Sequence, residues 1–183
     1  MLTIVVWIFI CTLVIITLCE YNIPILIPFI FIFLLIPGRV QGYYYKNQFR
    51  GRKLLDRKNY KESIKYNKIF LEDIRQNTWK KKLIHLSGAV YSKDIEAMTL
   101  NNLGSAYLEL GNLKSAETCF QQAIKLDLLY PIPYFNLSLV ECIKGNIELA
   151  EIFYQKSVEL GFKQTTFDKL IQKGQQIYAE IEG

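Results

Sequence analysis

Sliding the sequence against itself by 34 residues lays Ala97–Leu128 over Pro131–Phe162 and gives eight identities in 32 positions. The matches are Asn102/Asn136, Leu103/Leu137, Gly111/Gly145, Asn112/Asn146, Ala116/Ala150, Glu117/Glu151, Gln121/Gln155 and Leu126/Leu160. Leu113/Ile147, Phe120/Tyr154 and Ile124/Val158 keep their character. A unit this short has room for two helices and a turn but no core of its own, so it folds only by stacking on copies of itself. That requirement makes the fold class all-α and the architecture a short superhelix.

The first copy reads Leu100-x-x-Leu103-Gly104-x-x-Tyr107, then Ala116-x-x-x-Phe120, then Ala123. This closely resembles the tetratricopeptide motif, with Leu100 where tryptophan is usual and Leu128 where proline is usual. Pro131 and Pro133 supply the break between repeats instead. Gly104 and Ala116 are small where the two helices approach, and Leu103, Tyr107 and Phe120 fill the space around them. Gly111 and Gly145 suit a positive φ after the first helix, and Asn112 and Asn146 suit the start of the second. The second copy puts Ser138 at the glycine position, Glu141 at the tyrosine position and Ser157 at the alanine position. The residue pattern gives no reason for the glutamate.

Stacked repeats need about three copies for stability, and Gly51 with Asn59-Tyr60-x-x-Ser63 has the spacing of another. Residues 38–77 are therefore a basic flank and a degenerate first repeat (Tyr44–Asn77), from which Arg50, Asn67 and Phe70 depart. An insertion, 78–96, carries Trp79, Lys80–Lys82 and His85; 97–130 and 131–164 are the second and third repeats. In 165–183, Phe167, Leu170, Ile171, Ile177 and Tyr178 recur among polar residues, predicting a C-terminal capping helix over the last repeat.

The first 37 residues are a different material. Met1–Cys19 has no charged side chain, and a helix of that length reaches roughly 28 Å, about a hydrocarbon core. Glu20 to Pro24 interrupt, after which Ile23–Ile36 is again apolar, broken by Pro24 and Pro28 and closed by Pro37-Gly38. One transmembrane segment or a two-span hairpin both fit, the second needing Tyr43–Tyr45 as an interfacial belt with Arg39 snorkelling. A cleaved signal peptide is the competing reading, against which stand the missing basic n-region and the length of the run. Arg39–Lys82 holds 14 Lys/Arg and four Asp/Glu, whereas Leu83–Gly183 holds eight and 12. A basic flank after an apolar run keeps the soluble part on the side of synthesis and favours an anionic membrane face, with Arg39, Lys46, Arg50, Arg52 and Lys53 nearest to it.

Charge and motif content narrow the function. No phosphate loop, zinc-helix or nucleophile-elbow motif occurs, which predicts no catalytic residue, no metal, no cofactor and no small-molecule substrate. His85 stands alone without neighbouring ligands, and the pairs Asp94/Glu96 and Glu148/Glu151 suit helix starts. The basic residues accompany no nucleic-acid-binding motif, so nucleic acid is not an expected partner. Four cysteines without a C-x-x-C pair fit a reduced compartment. Trp79 with its three lysines suits either an anionic surface or a solvated loop beside a packed tryptophan, the second being simpler.

The tetratricopeptide resemblance implies a concave face built from the first helix of each repeat, where a partner segment lies. Mapped here, that face takes Met98, Asn101, Asn102 and Ser105 from one repeat and Ile132, Phe135, Asn136 and Leu139 from the next. Asn102 and Asn136 are placed to bond an extended backbone, with Phe135 as an apolar anchor, or else they merely solvate the surface. Arg52 is the one groove cation of the kind that clamps chaperone carboxylates, so chaperone docking is not expected.

Anchor, weak repeat, the insertion from Trp79 to Tyr91 and two good repeats from Glu96 follow in an order that resembles a tetratricopeptide family of cyanobacteria and algal plastids associated with photosystem I assembly or stability. Lysine-rich, Ile/Asn/Tyr-rich composition, as an AT-rich genome produces, agrees with it. The resemblance implies a scaffold without chemistry in the plastid thylakoid membrane, its repeats on the stromal side. Its partners would be photosystem I subunits or assembly intermediates, and membrane lipid through the N-terminus. An inner-membrane scaffold of another bacterial envelope complex, with repeats on the cytoplasmic side, is the second reading, and a permanent accessory subunit is a third.

Overall fold

The computed structural model of the protein describes residues 27–86, 91–163 and 165–182, with positions 5, 7–10, 12, 13 and 16 before them. Among the described residues from 27 onward the regular elements are all helical: α1 (Ile27–Tyr44), α2 (Lys46–Asp56), α3 (Tyr60–Gln76), a 3₁₀ segment (Thr78–Leu86), α4 (Ile95–Glu109), α5 (Leu113–Leu126), α6 (Pro131–Ile143), α7 (Ile147–Glu159) and α8 (Phe167–Glu182). Three hairpins, α2–α3, α4–α5 and α6–α7, stack in chain order, α3 on α4 and α5 on α6.

One turn closes all three hairpins. The backbone N–H groups of Asn59, Asn112 and Asn146 donate to the carbonyls of Leu54, Tyr107 and Glu141, each at 2.9 Å. This is the long bond of a Schellman turn, which needs a positive φ at the residue before it. Gly111 (74°) and Gly145 (84°) supply it without strain, whereas Lys58 does so at 60°, at a cost of about 1–2 kcal/mol for a residue with a Cβ. The asparagine side chains then diverge. Asn112 Oδ1 accepts from the Ser115 N–H at 3.1 Å and caps α5. Asn146 occupies the same position but does not cap α7, contrary to the sequence expectation, because its amide donates to Glu141 Oε2 at 2.8 Å.

The small residues lie where the helices cross. A Cβ on Gly104 would stand 2.6 Å from Phe120 Cε1, and one on Gly51 would stand 2.8 Å from the Asn67 amide. Asn67 thus takes, in the first hairpin, the place of the phenylalanine in the second. Its Nδ2 donates to the Ser63 carbonyl at 2.9 Å, while Asn67 Oδ1 is buried without a donor. Two adjoining apolar clusters result, one around Tyr45, Phe70, Ile74 and Leu103, the other around Phe120, Leu137, Leu139 and Leu170. Burial of such side chains is worth roughly 1.5–3 kcal/mol each.

Pro37-Gly38 does not close the second apolar run, as the sequence suggests: α1 passes through both residues to Tyr44. A proline forfeits one backbone bond and bends the helix, but the following turns are tied elsewhere. Gln41 Nε2 donates to the Leu83 carbonyl at 3.1 Å and Tyr45 Oη to the Lys80 carbonyl at 2.7 Å. More than half of the expected span Met1–Cys19 lies outside the described residues. Among those described, no helix is long and apolar enough to cross a membrane.

The start of the insertion is an ordered 3₁₀ segment, not a solvated loop. Two of its lysines are spent internally. Lys80 Nζ pairs with Asp73 at 2.6 Å, and Lys81 Nζ reaches Glu96 Oε2 at 2.5 Å. Arg75 Nε holds Glu96 Oε1 at 2.6 Å. Burial alone would raise the Glu96 carboxyl, but these bonds and charges outweigh it and hold its pKa below the ordinary value. Glu96 therefore fastens α3, the insertion and α4 together, beyond the helix-dipole role its position suggests.

Candidate partner-binding groove

The face expected to bind partners is made by α4 and α6, one turn apart in the stack. Asn136 Nδ2 donates to Asn101 Oδ1 at 2.9 Å and to Ser105 Oγ at 3.4 Å. Ser105 Oγ donates back to the Asn101 carbonyl at 3.0 Å. These three predicted residues form a polar ladder between adjacent hairpins. Asn101 is buried within it, and Ser105 and Asn136 remain half-exposed. Met98, Asn102 and Ile132 are half-buried, outside the concavity beside the ladder.

Phe135 is not the accessible anchor that the sequence suggests. It is 9% exposed, its ring centre 4.7 Å from that of Phe162, which in turn meets Tyr91 of the insertion at 6.5 Å. Leu139, at 1% exposure, is likewise covered, and the cover is α8. The C-terminal helix packs along α6, with Leu170 and Ile177 in the same apolar cluster as Phe135 and Leu139. A Cβ on Gly174 would lie 3.1 Å from Cys142 Cβ and 3.7 Å from Leu139 Cδ1, so the helices touch because α8 has a glycine there. Capping helix and groove were separate features in the sequence; the fold places one upon the other.

What stays open is a concavity of ≈ 390 Å³, lined by Ser105, Asn136 and Leu139 of the predicted set and by Leu55, Asp56, Lys58, Tyr60, Leu108, Glu109 and Lys173. Tyr60 Oη donates to Glu109 Oε2 at 3.0 Å; its burial and that carboxylate push the hydroxyl up to about 12. The arrangement offers amide and hydroxyl groups around an apolar floor, which suits recognition of a protein segment.

The basic residues that the sequence placed nearest a membrane lie on a second surface. Arg39 on α1 and Lys46, Arg50 and Lys53 on α2 are exposed, the last three spaced four and three residues apart along one side of the helix. Arg50 stacks on Tyr66 at 4.3 Å. Arg52, also exposed, is close enough to Tyr130 to act on its hydroxyl. At the α1–α2 junction Tyr43, Tyr44 and Trp79 stack edge to face with ring centres 5.0 Å apart in each pair. Tyr43 is 70% and Trp79 49% exposed, and Lys80 Nζ lies within 6 Å of the Tyr44 and Trp79 rings.

Residues 97–127 match the family described as tetratricopeptide repeat. No curated protein matches the chain. The α4–α5 hairpin is the segment matched, so the chain contains a tetratricopeptide repeat, flanked by α2–α3 and α6–α7, two hairpins closed by the same turn. Such repeats mediate protein–protein interaction, and an all-helical array of them is typically a non-enzymatic scaffold.

Proposed function

We propose that this tetratricopeptide-repeat protein is a scaffold tethered to the plastid thylakoid membrane by its apolar N-terminus. There it holds photosystem I subunits or assembly intermediates against its stromal face. The observation that carries the membrane part of this reading is the Tyr43–Tyr44–Trp79 stack, its two outer rings exposed, near Arg39 at the end of the apolar helix α1. Aromatic rings and long cations together suit the headgroup level of a bilayer. The hydrogen bonds of Gln41 and Tyr45 to the insertion join that end to the first hairpin, so the repeats follow the anchor as one piece. The choice of photosystem I rests on the family resemblance of the whole chain.

Affinity purification of tagged full-length protein from gently solubilised native membranes, with quantitative mass spectrometry against an untagged control, tests the reading. Photosystem I subunits at substoichiometric levels are the expected result for a transient scaffold. Stoichiometric recovery points to an accessory subunit. A different, reproducible membrane complex in place of photosystem I overturns the assignment and favours an envelope scaffold.

A further inference from the structure

A concavity lies on the side of the array away from the predicted groove. It occupies ≈ 690 Å³ between α3, α4 and α5. Its floor is Leu71, Leu100, Leu103 and Cys119, all buried, and Tyr107 forms one wall. The sequence explains why it is open. Leu100 stands where the repeat motif usually has tryptophan, and Cys119 corresponds to Phe153 in the next hairpin. Two bulky side chains that would close the gap are thus replaced by smaller ones. A second concavity of ≈ 310 Å³ shares Arg75, Leu100 and Gln122 with it and extends it to Lys125.

The rim of this groove is cationic. Lys68, Arg75, Lys114 and Lys125 stand around it against Glu72 and Glu96. Glu96 is already paired with Arg75 and Lys81, leaving Lys68, Lys114 and Lys125 opposed by Glu72. Lys68 Nζ sits 5.6 Å from the Tyr107 ring centre, at the lip of the apolar floor. A recessed apolar floor with a positive rim is complementary to a peptide that has a large apolar side chain among carboxylates. A lipid headgroup would satisfy the rim and leave the floor unfilled.

We propose that this groove docks an acidic protein segment, whose large apolar side chain enters over Leu100 and Cys119 while its carboxylates meet Lys68, Lys114 and Lys125. The site is distinct from the α4–α6 face, so it gives the scaffold a second point of attachment and does not depend on which complex the first one holds.

The test uses full-length protein in detergent micelles and fluorescence anisotropy of labelled synthetic peptides. One has a tryptophan centred among aspartates and glutamates, one replaces the tryptophan by alanine, and one replaces the acids by lysines. The acidic tryptophan peptide is expected to bind, the other two to bind at least about tenfold more weakly. Lys68→Glu with Lys114→Glu changes two exposed side chains and is expected to weaken binding by about tenfold or more, as is raising salt from about 0.05 to about 0.5 M. Cys119→Phe, which copies the next hairpin, fills the floor and should block the tryptophan peptide alone; unchanged circular dichroism establishes that each variant is folded. The proposal falls if the acidic tryptophan peptide does not bind, or if it binds equally to the charge-reversed and groove-filled variants. It falls too if Lys68 and Lys114 prove necessary only for binding to phosphatidylglycerol vesicles, which would make the surface a membrane contact.

Discussion

In the α4–α5 hairpin a glycine faces a phenylalanine, and in α6–α7 the corresponding residues are Ser138 and Tyr154. The two hairpins share their turn and many of their residues, but they are secured by different means. The second repeat packs: Gly104 admits the Phe120 ring, which is fully buried. In the third repeat the corresponding side chains hydrogen-bond instead: Ser138 Oγ donates to the Phe135 carbonyl of its own helix at 2.8 Å, and Tyr154 Oη donates to the Thr165 carbonyl at 2.8 Å, tying α7 to the segment before α8. Each hairpin also buries a glutamate. Glu96 is held by residues of two other elements, Glu141 by Lys144 and Asn146 of its own turn. The same repeat plan can thus be stabilised by shape or by polar bonds, and the substitutions that weaken each should differ.

The sharpest contrast is in the aromatic residues. Phe120→Ala should destabilise the array by about 3–5 kcal/mol, as expected for emptying a closed site. Tyr154→Ala, at a half-exposed position, should cost clearly less. Chemical denaturation of both variants checks this; equal losses would mean that the third repeat is as tightly packed as the second.

The buried glutamates separate next. Glu96→Gln should cost about 2–3 kcal/mol, since it strips one charge from an assembly of three and leaves Arg75 and Lys81 without their counterion. Its carboxyl titrates lower when folded than when unfolded, so its contribution is complete above the ordinary value and fades as pH falls through the folded one. Wild type should therefore lose more stability than Glu96→Gln on acidification below about pH 4.5. Hydrogen exchange should show the 3₁₀ segment opening first in that variant, whereas Glu141→Gln should leave the insertion undisturbed. Similar exchange in the two would show that Glu96 is no more a tertiary clamp than Glu141.

Smaller again is the effect of one methyl group. Gly104→Ala gains helix propensity but overlaps the Phe120 ring, and the overlap should win by about 1–2 kcal/mol. Ser138→Ala sheds a hydroxyl already bonded to its own helix and should stay within about 1 kcal/mol of wild type. Thermal melts of the pair would expose any room at Gly104 that the packing does not show.

The pairing of helices in the repeats, the repeat period and the small-residue crossings are legible in the residues because each depends on local pattern: 34-residue spacing, Gly104 with Ala116, Gly111 before Asn112. The relation of α8 to the groove is not, since an amphipathic helix states which face it buries but not against what. The same limit hid the Glu96 clamp, whose partners lie 15 and 21 residues away. Phe135 looked like an anchor because its register faces the groove; the covering residues, Phe162 and Tyr91, come from elements whose paths the pattern did not give. The groove over Leu100 left a visible sign, the departure from tryptophan, but one substitution reads as tolerated variation until the neighbouring Cys119 is seen to leave the same space empty.

The turns offer the finest test, because there the two repeats differ by the direction of one hydrogen bond. Asn112 works as an acceptor, its Oδ1 taking the Ser115 N–H, whereas Asn146 works as a donor to Glu141. Aspartate keeps the acceptor and abolishes the donor. Asn112→Asp should therefore stay within about 0.5 kcal/mol of wild type or improve on it, since a carboxylate caps a helix start well and suits its dipole. Asn146→Asp should destabilise by about 1 kcal/mol, because two carboxylates then face each other with Lys144 between them and Glu117. Adding Glu141→Tyr, the residue at that place in the second repeat, should remove the penalty and free the introduced aspartate to cap α7. A penalty that survives the double substitution would mean that Glu141 does not divert Asn146, and that the difference between the two turns lies in their backbones.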